Sequence, residues 1–251
     1  VHLPQLGSTK HFKIVCTGLM AQADHPLSPL KKSNAMNIQQ KAHPWHGISS
    51  GDNPPVIVTA FIEIVPSDTV KYEIDKVSGY LKIDRPQKFS NTVPTLYGFI
   101  PQTYCAEQIA QYAATMSGRD VAKGDGDPLD ICVLSERTVT HGNIILQAIP
   151  IGGFRLLDKG EADDKIIAVM KGDEFYRQWN DVSDCPASYI NRLKHYFLTY
   201  KNLPGEPSTC EITNVYGREE AHEVIRRSLQ DYQNHYGASP WVKRRSTDSL
   251  P

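Results

Sequence analysis

The sequence predicts a mainly β chain of the α+β class, a closed or partly closed β-barrel with two helices packed outside it. Three observations predict it. Short β-branched or alternating runs crowd residues 56–170. Gly142 and Gly152-Gly153 punctuate them. Two segments with apolar residues at helical spacing follow, near 184–201 and 218–236.

In chain order, residues 1–54 read as a loop-like or flexible extension, rich from 24 onward in Pro, Ser, Asn and Gly. HPWH (43–46) sets two histidines beside Trp45; with Pro44 between them and no helix signal, a packed loop is favoured over a metal site. VIVTAFIEIV (56–65) is the first strand, with Phe61, Glu63 and Val65 on one face. VKYEID (70–75) alternates, Lys71, Glu73 and Asp75 opposite Tyr72 and Ile74. The turn Lys76-Val77-Ser78-Gly79 returns it into YLKIDR (80–85). Further strands are expected at 96–100, 129–134, 144–150, 165–170 and 210–216. The segment 106–123 has no apolar stripe and is expected to be a long surface loop, a possible flap. The first helix is expected to start near Asp184 with Pro186 just inside, burying Ile190, Leu193 and Phe197. The second is expected to bury Ala221, Val224, Ile225, Leu229 and Tyr232. Residues 55–236 thus form the barrel domain, and 237–251 a polar tail.

The totals exclude little. With 251 residues, 40% hydrophobic and 22% charged, the chain suits one large domain. A net charge of -1 demands neither nucleic acid nor a membrane surface as partner. No apolar run reaches the roughly 18–20 residues of a membrane span. Five scattered cysteines, with no C-x-x-C pair, point to free thiols in a reducing compartment. A cytoplasmic location is expected. The alternative is an organelle, if FKIVCTGLMAQA (12–23), in a stretch lacking Asp and Glu, is a targeting segment rather than a draped extension.

The chemistry lies in KGDGDPLDICVLSE (123–136). Asp125, Asp127 and Asp130 crowd against the apolar run Ile131–Leu134. In an extended chain Asp125 and Asp127 share a face, and a kink at Pro128 would bring Asp130 round to it. Carboxylates so close repel one another, and protons or hard cations such as Mg²⁺ or Mn²⁺ must relieve them. An EF-hand is rejected, because Asp130 stands where its glycine should. A second acidic group, Asp158, Glu161, Asp163 and Asp164, precedes another buried strand. Lys71, Arg85, Lys165, Lys201, Tyr97 and Tyr200 lie at element ends. Carboxylate-held metals ringed by Lys, Arg and Tyr describe a site for a small, highly charged phosphate substrate. A non-catalytic OB-type binding module would instead need a basic groove with exposed aromatics. A hydrolase of some other phosphate ester is a third reading, which a substrate panel would separate.

GDGDPLDICV resembles the D-x-D-P-x-D signature of the soluble family I inorganic pyrophosphatases. FIEIVPSDTVKYEIDKVSGYLKIDR, TVPTLYGFIPQTYC, DDKIIAV and HYFLTYK resemble further family segments in the same order, over about 56–235. The chlamydial-type sequences, with their long loop before the signature, are the nearest in kind. The resemblance implies an OB-like β-barrel core and Mg²⁺-dependent hydrolysis of pyrophosphate to two phosphates by a metal-bound hydroxide, with Mn²⁺ a substitute. It implies Asp125, Asp130 and Asp163 as ligands of two metals and Asp127 as the base. Asp158 with Asp163 would hold a third metal, and Glu73 would contact a fourth. Lys71, Arg85, Tyr200 and Lys201 would grip phosphate, with Glu63, Tyr97 and Lys165 in support. It also implies a homo-oligomer, dimer or hexamer. Val93 and Lys159 depart from the family pattern, which commonly has Tyr and an acid there.

Overall fold

The structure, a computed structural model, describes residues 41–202 and 205–237. The expectations for residues 1–40 and 238–251 lie outside it. The described elements are β1 (Val58–Ile64), β2 (Val70–Ile74), β3 (Leu81–Pro86), β4 (Leu96–Phe99), α1 (Glu107–Ser117), β5 (Lys123–Gly124), β6 (Asp130–Leu134), β7 (Ile144–Asp158), β8 (Glu161–Ala162), β9 (Lys165–Met170), α2 (Ala187–Thr199), β10 (Cys210–Gly217) and α3 (Arg218–Tyr236).

β1 pairs with β4, β4 with β6, β6 with β9, β9 with β7, and β7 again with β1. These strands close into a ring, the OB-like core of a mainly β fold. Short β8 and β5 extend the sheet beyond β7, and β10 pairs with the second half of β7. β2 and β3 form a separate two-stranded sheet. Val58, Ala60, Ile62, Ile131, Val133 and Ile166 fill one face of the ring together with Val224 and Ile225 of α3. Ile64, Phe154, Ile167 and Val169 pack the other against Leu193 and Phe197 of α2. The β1–β4 register slips between Ile62 and Ile64, so Val65 packs with Ile62 rather than continuing the Phe61–Glu63 face.

Both expected helices form. In α2, Pro186 sits at the N-cap rather than inside the helix, and a short 3-10 turn at Val182–Asp184 with its own capping box precedes it. A third helix occupies 107–117 of the segment 106–123, expected to be a loop. α1 buries Ile109, Ala110 and Ala113, a face too small to read as a stripe, and lies against α3. β7 also differs from expectation, because it does not stop before Gly152-Gly153. These glycines mark close approach rather than a turn: a Cβ at Gly153 would strike the Tyr216 ring, and one at Gly152 the Tyr216 carbonyl. The HPWH segment is a packed turn. Trp45 is buried, its Nε1 donates to the Thr103 carbonyl at 2.8 Å, and His46 Nδ1 meets the Tyr232 hydroxyl at 2.8 Å.

Candidate active site

One end of the ring opens into a cleft of about 600 Å³. Asp125, Asp127, Asp130, Asp158 and Asp163 line it, with Glu63, Glu73, Lys71, Arg85, Tyr97, Lys165, Tyr200 and Lys201. Every site residue nominated from the sequence therefore reaches the same space. A second cavity, of about 490 Å³, lies behind the signature loop between α1 and β5. It shares Asp125 with the first cleft but contains none of Lys71, Arg85, Tyr200 and Lys201.

The topology explains the convergence. Asp130 opens β6 and Lys165 opens β9, and the two are register partners in a parallel pair. Asp158 closes β7, Tyr200 is the C-cap of α2, and Lys201 follows it. β2 and β3 bring Lys71, Glu73 and Arg85 from the other side. The signature loop differs from the extended chain expected of it. Gly126 takes φ 74°, and the Asp127 amide donates to Asp125 Oδ1 at 3.0 Å. An Asx turn at a left-handed glycine, not strand parity, aims these carboxylates.

The charges are arranged in contacts. Lys165 Nζ donates to both Asp130 and Asp163. Tyr97 OH donates to Asp130 Oδ2 at 2.5 Å. Lys201 Nζ donates to Asp158 Oδ2 at 2.5 Å, and Cys210 Sγ lies 3.5 Å from Asp158 Oδ1. Lys71 Nζ reaches Glu73 at 3.2 Å and Asp84 at 3.0 Å. The Arg85 guanidinium lies 5.6 Å from the Tyr200 ring centroid.

A family model described as inorganic pyrophosphatase matches residues 60–233. The inorganic pyrophosphatase of Chlamydia muridarum is 53% identical over 197 residues, covering 76% of this chain and 94% of that one. The chain belongs to the inorganic pyrophosphatase family. Soluble inorganic pyrophosphatase 2 of Chlamydomonas reinhardtii is 37% identical, covering 78% of this chain and 91% of its own length. The crystal structure of the Thermus thermophilus inorganic pyrophosphatase superposes with a TM-score of 0.63 at 28% identity, over 76% of this chain and 99% of that one. The protein is thus a soluble family I pyrophosphatase of chlamydial type, an enzyme hydrolysing pyrophosphate to phosphate.

The electrostatics of this pyrophosphatase suit a cation. Burial, then the neighbouring Asp163, push the Asp125 carboxyl well above the usual carboxylate range. Burial pushes Asp163 up as well, against the pull of Lys165. Burial opposes the charge on Lys165, but Asp130 and Asp163 override it and hold the ammonium protonated. Burial also acts against the Asp158 charge, yet Lys201 holds that carboxyl below its ordinary value. Among the described residues no set of three His, Cys, Asp or Glu side chains surrounds one point, and the Lys165 ammonium sits between two of the carboxylates. The donors are all carboxylate oxygens, and buried Asp163 lies beside half-buried Asp125, a pairing that a proton or a cation relieves. That set fits a hard divalent ion.

The two departures from the family pattern lie outside the cleft lining. Val93 is fully buried in the core beneath α2. Exposed Lys159 (φ 52°) and Gly160 (φ 82°) make the two-residue turn between β7 and β8. Sequence reasoning missed Lys76, Lys82 and Asp84, which line the cleft too. For Lys82 and Asp84 the signal was alternation along KIDR. A slip in register between Lys71 and Tyr72 then lets Arg85 join them. Lys76 follows the strand, inside a turn, where alternation carries no information.

Proposed function

We propose that this cleft carries out Mg²⁺-dependent hydrolysis of pyrophosphate by direct attack of water, with Asp127 accepting the water's proton. The observation that carries the reading is the gathering of Asp125, Asp127, Asp130, Asp158 and Asp163 in one cleft with Lys71, Arg85, Tyr200 and Lys201. Magnesium held by Asp125, Asp130, Asp163 and Asp158, with Glu73 nearby, would supply Lewis-acid charge neutralisation and make bound water more acidic.

The chain's own groups do the rest. The Asp127 side chain stands half exposed at the cleft; its Oδ1 is buried beside Lys76, which leaves Oδ2 to meet a water. As that water's oxygen bonds to one phosphorus, its proton passes to Asp127 and the bridging P–O bond breaks. Lys71, Arg85 and Lys201 are cations facing the space where phosphoryl and leaving-group charge spreads. Arg85 offers a planar fork, held near the Tyr200 ring. Lys165 and Tyr97 fix the Asp130 carboxylate. Glu63 Oε1 accepts the Ile74 amide at 2.6 Å, tying the β2–β3 sheet to the ring.

Phosphate release is measured with Mg²⁺, with Mn²⁺ and with EDTA. Fast release with Mg²⁺, lost in EDTA and restored by either ion, is expected. Asp127→Asn is expected to bind the cation normally by calorimetry yet lose roughly 10²–10⁴ in kcat. Turnover that persists in EDTA removes the metal dependence; near-normal turnover of Asp127→Asn removes the base.

A further inference from the structure

The ion-pair partner of Asp127 is Lys76. Lys76 lies at the turn of the two-stranded β2–β3 sheet, whereas Asp127 lies in the loop between β5 and β6 of the main sheet. The contact therefore joins two separate sheets across the mouth of the cleft. Lys76 Nζ also donates to the Gly126 carbonyl at 3.3 Å, so it holds both the backbone and the carboxylate of the signature loop.

Both ends of the contact are stiff. On the Lys76 side, Asp75 organises the turn. Its Oδ1 accepts the Ser78 amide at 2.8 Å and the Ser78 hydroxyl at 2.6 Å, and its carbonyl accepts the Gly79 amide at 2.8 Å. Gly79, at φ 74°, lies against His43 and Pro44, where an added Cβ would meet ring and chain atoms at 2.9 Å. On the Asp127 side, the amide is bound to Asp125 Oδ1 at 3.0 Å and the carbonyl accepts the Cys105 amide at 2.9 Å. The backbone of Asp127 is thus pinned, while its carboxylate can still turn about the side-chain bonds, with Oδ1 buried against Lys76. Lys76 is the side chain that limits that rotation. A carboxylate that must take a proton from one particular water works only within a narrow range of positions.

We propose that Lys76 is a positioning residue for Asp127, holding its carboxylate in the orientation from which it accepts the proton of the attacking water. This rests on the reading of Asp127 as the base. It adds to the cleft a residue whose role is to orient the base.

The test uses the full chain as Lys76→Met, Lys76→Arg, Asp127→Asn and the Lys76→Met/Asp127→Asn double variant, with magnesium pyrophosphate as substrate. Lys76 is half exposed, so thermal melts close to that of the parent are expected. Lys76→Met is expected to lower kcat roughly 10- to 100-fold while KM stays within about twofold. Lys76→Arg is expected to recover most of the rate, because it keeps the charge and the reach. In the Asp127→Asn background Lys76→Met is expected to cost nothing further, since both changes disable the same group. A Lys76→Met enzyme with unchanged kcat overturns the proposal. So does one whose loss is in KM, which would make Lys76 a substrate contact or a support for Lys71 and Arg85. Independent, multiplying losses in the double variant also overturn it. Near-normal turnover of Asp127→Asn alone removes the base reading itself, a result distinguishable from each of these.

Discussion

Glu63 has a buried carboxyl on β1, and burial, reinforced by Asp130, pushes its pKa up to about 8. The consequence for stability has a definite sign. A folded chain that keeps this proton where the unfolded chain has lost it gains stability at low pH. The gain is complete below the ordinary value of 4.5 and is lost as pH rises through about 8. Measured in EDTA, the melting temperature of the parent should therefore carry a component that falls from about pH 5 to about pH 8. Glu63→Gln, uncharged throughout, should flatten it. An unchanged slope would show that Glu63 is ionised in the folded chain. The same logic explains why the cleft carboxylates tolerate one another: Asp130 and Asp163 share the Lys165 ammonium, and Asp158 has Lys201. A buried charge persists where a partner offsets its lost hydration.

Among the elements, α1 shows most clearly how a helix can escape sequence reading. Ala106 at its N-cap makes no side-chain cap. The cap comes from α3 instead: the buried Asp231 carboxylate accepts the amides of Ala106 and Gln108 at 3.0 Å and of Ile109 at 3.2 Å. Tyr112 adds a second tie, with the Arg155 and Arg227 guanidiniums 4.8 and 4.4 Å from its ring centroid. The helical part of segment 106–123, Glu107–Ser117, is therefore packed into the fold rather than a free flap. Asp231→Ala strands three amides at the helix start and should cost about 2–4 kcal/mol in urea unfolding. Faster hydrogen exchange should be concentrated in residues 107–113. A loss below about 0.5 kcal/mol would mean that the α1–α3 contact holds without the cap.

Across the whole molecule, the site depends on the ring closing. Gly98 lies where β4 crosses β1, and a Cβ there would strike the Phe61 carbonyl. Neither strand can retreat, since β1 is also paired to β7 and β4 to β6. Gly98→Ala should destabilise the chain by about 3 kcal/mol or more, read from urea unfolding. Activity should fall in step with the folded fraction, because Tyr97 and Asp130 meet through the same β4–β6 pair. A variant of parental stability would show that the ring yields locally at this crossing.

The sequence by itself determined most of the strands, two of the helices and the chemistry. Alternation in VKYEID, the apolar runs at β6 and β9, and the stripes of α2 and α3 are local patterns, and local patterns survive in one dimension. The carboxylates of GDGDPLD were legible for a related reason: so much charge beside a buried strand needs a cation to relieve it. Tertiary structure decided the remainder, where the cause lies far away in the chain. α1 takes its cap from a residue more than a hundred positions on, β7 keeps glycines because Tyr216 crosses them, and Lys76 meets Asp127 only because two sheets face each other. A contact between distant residues leaves no period or spacing in the sequence, so only folding brings it into view.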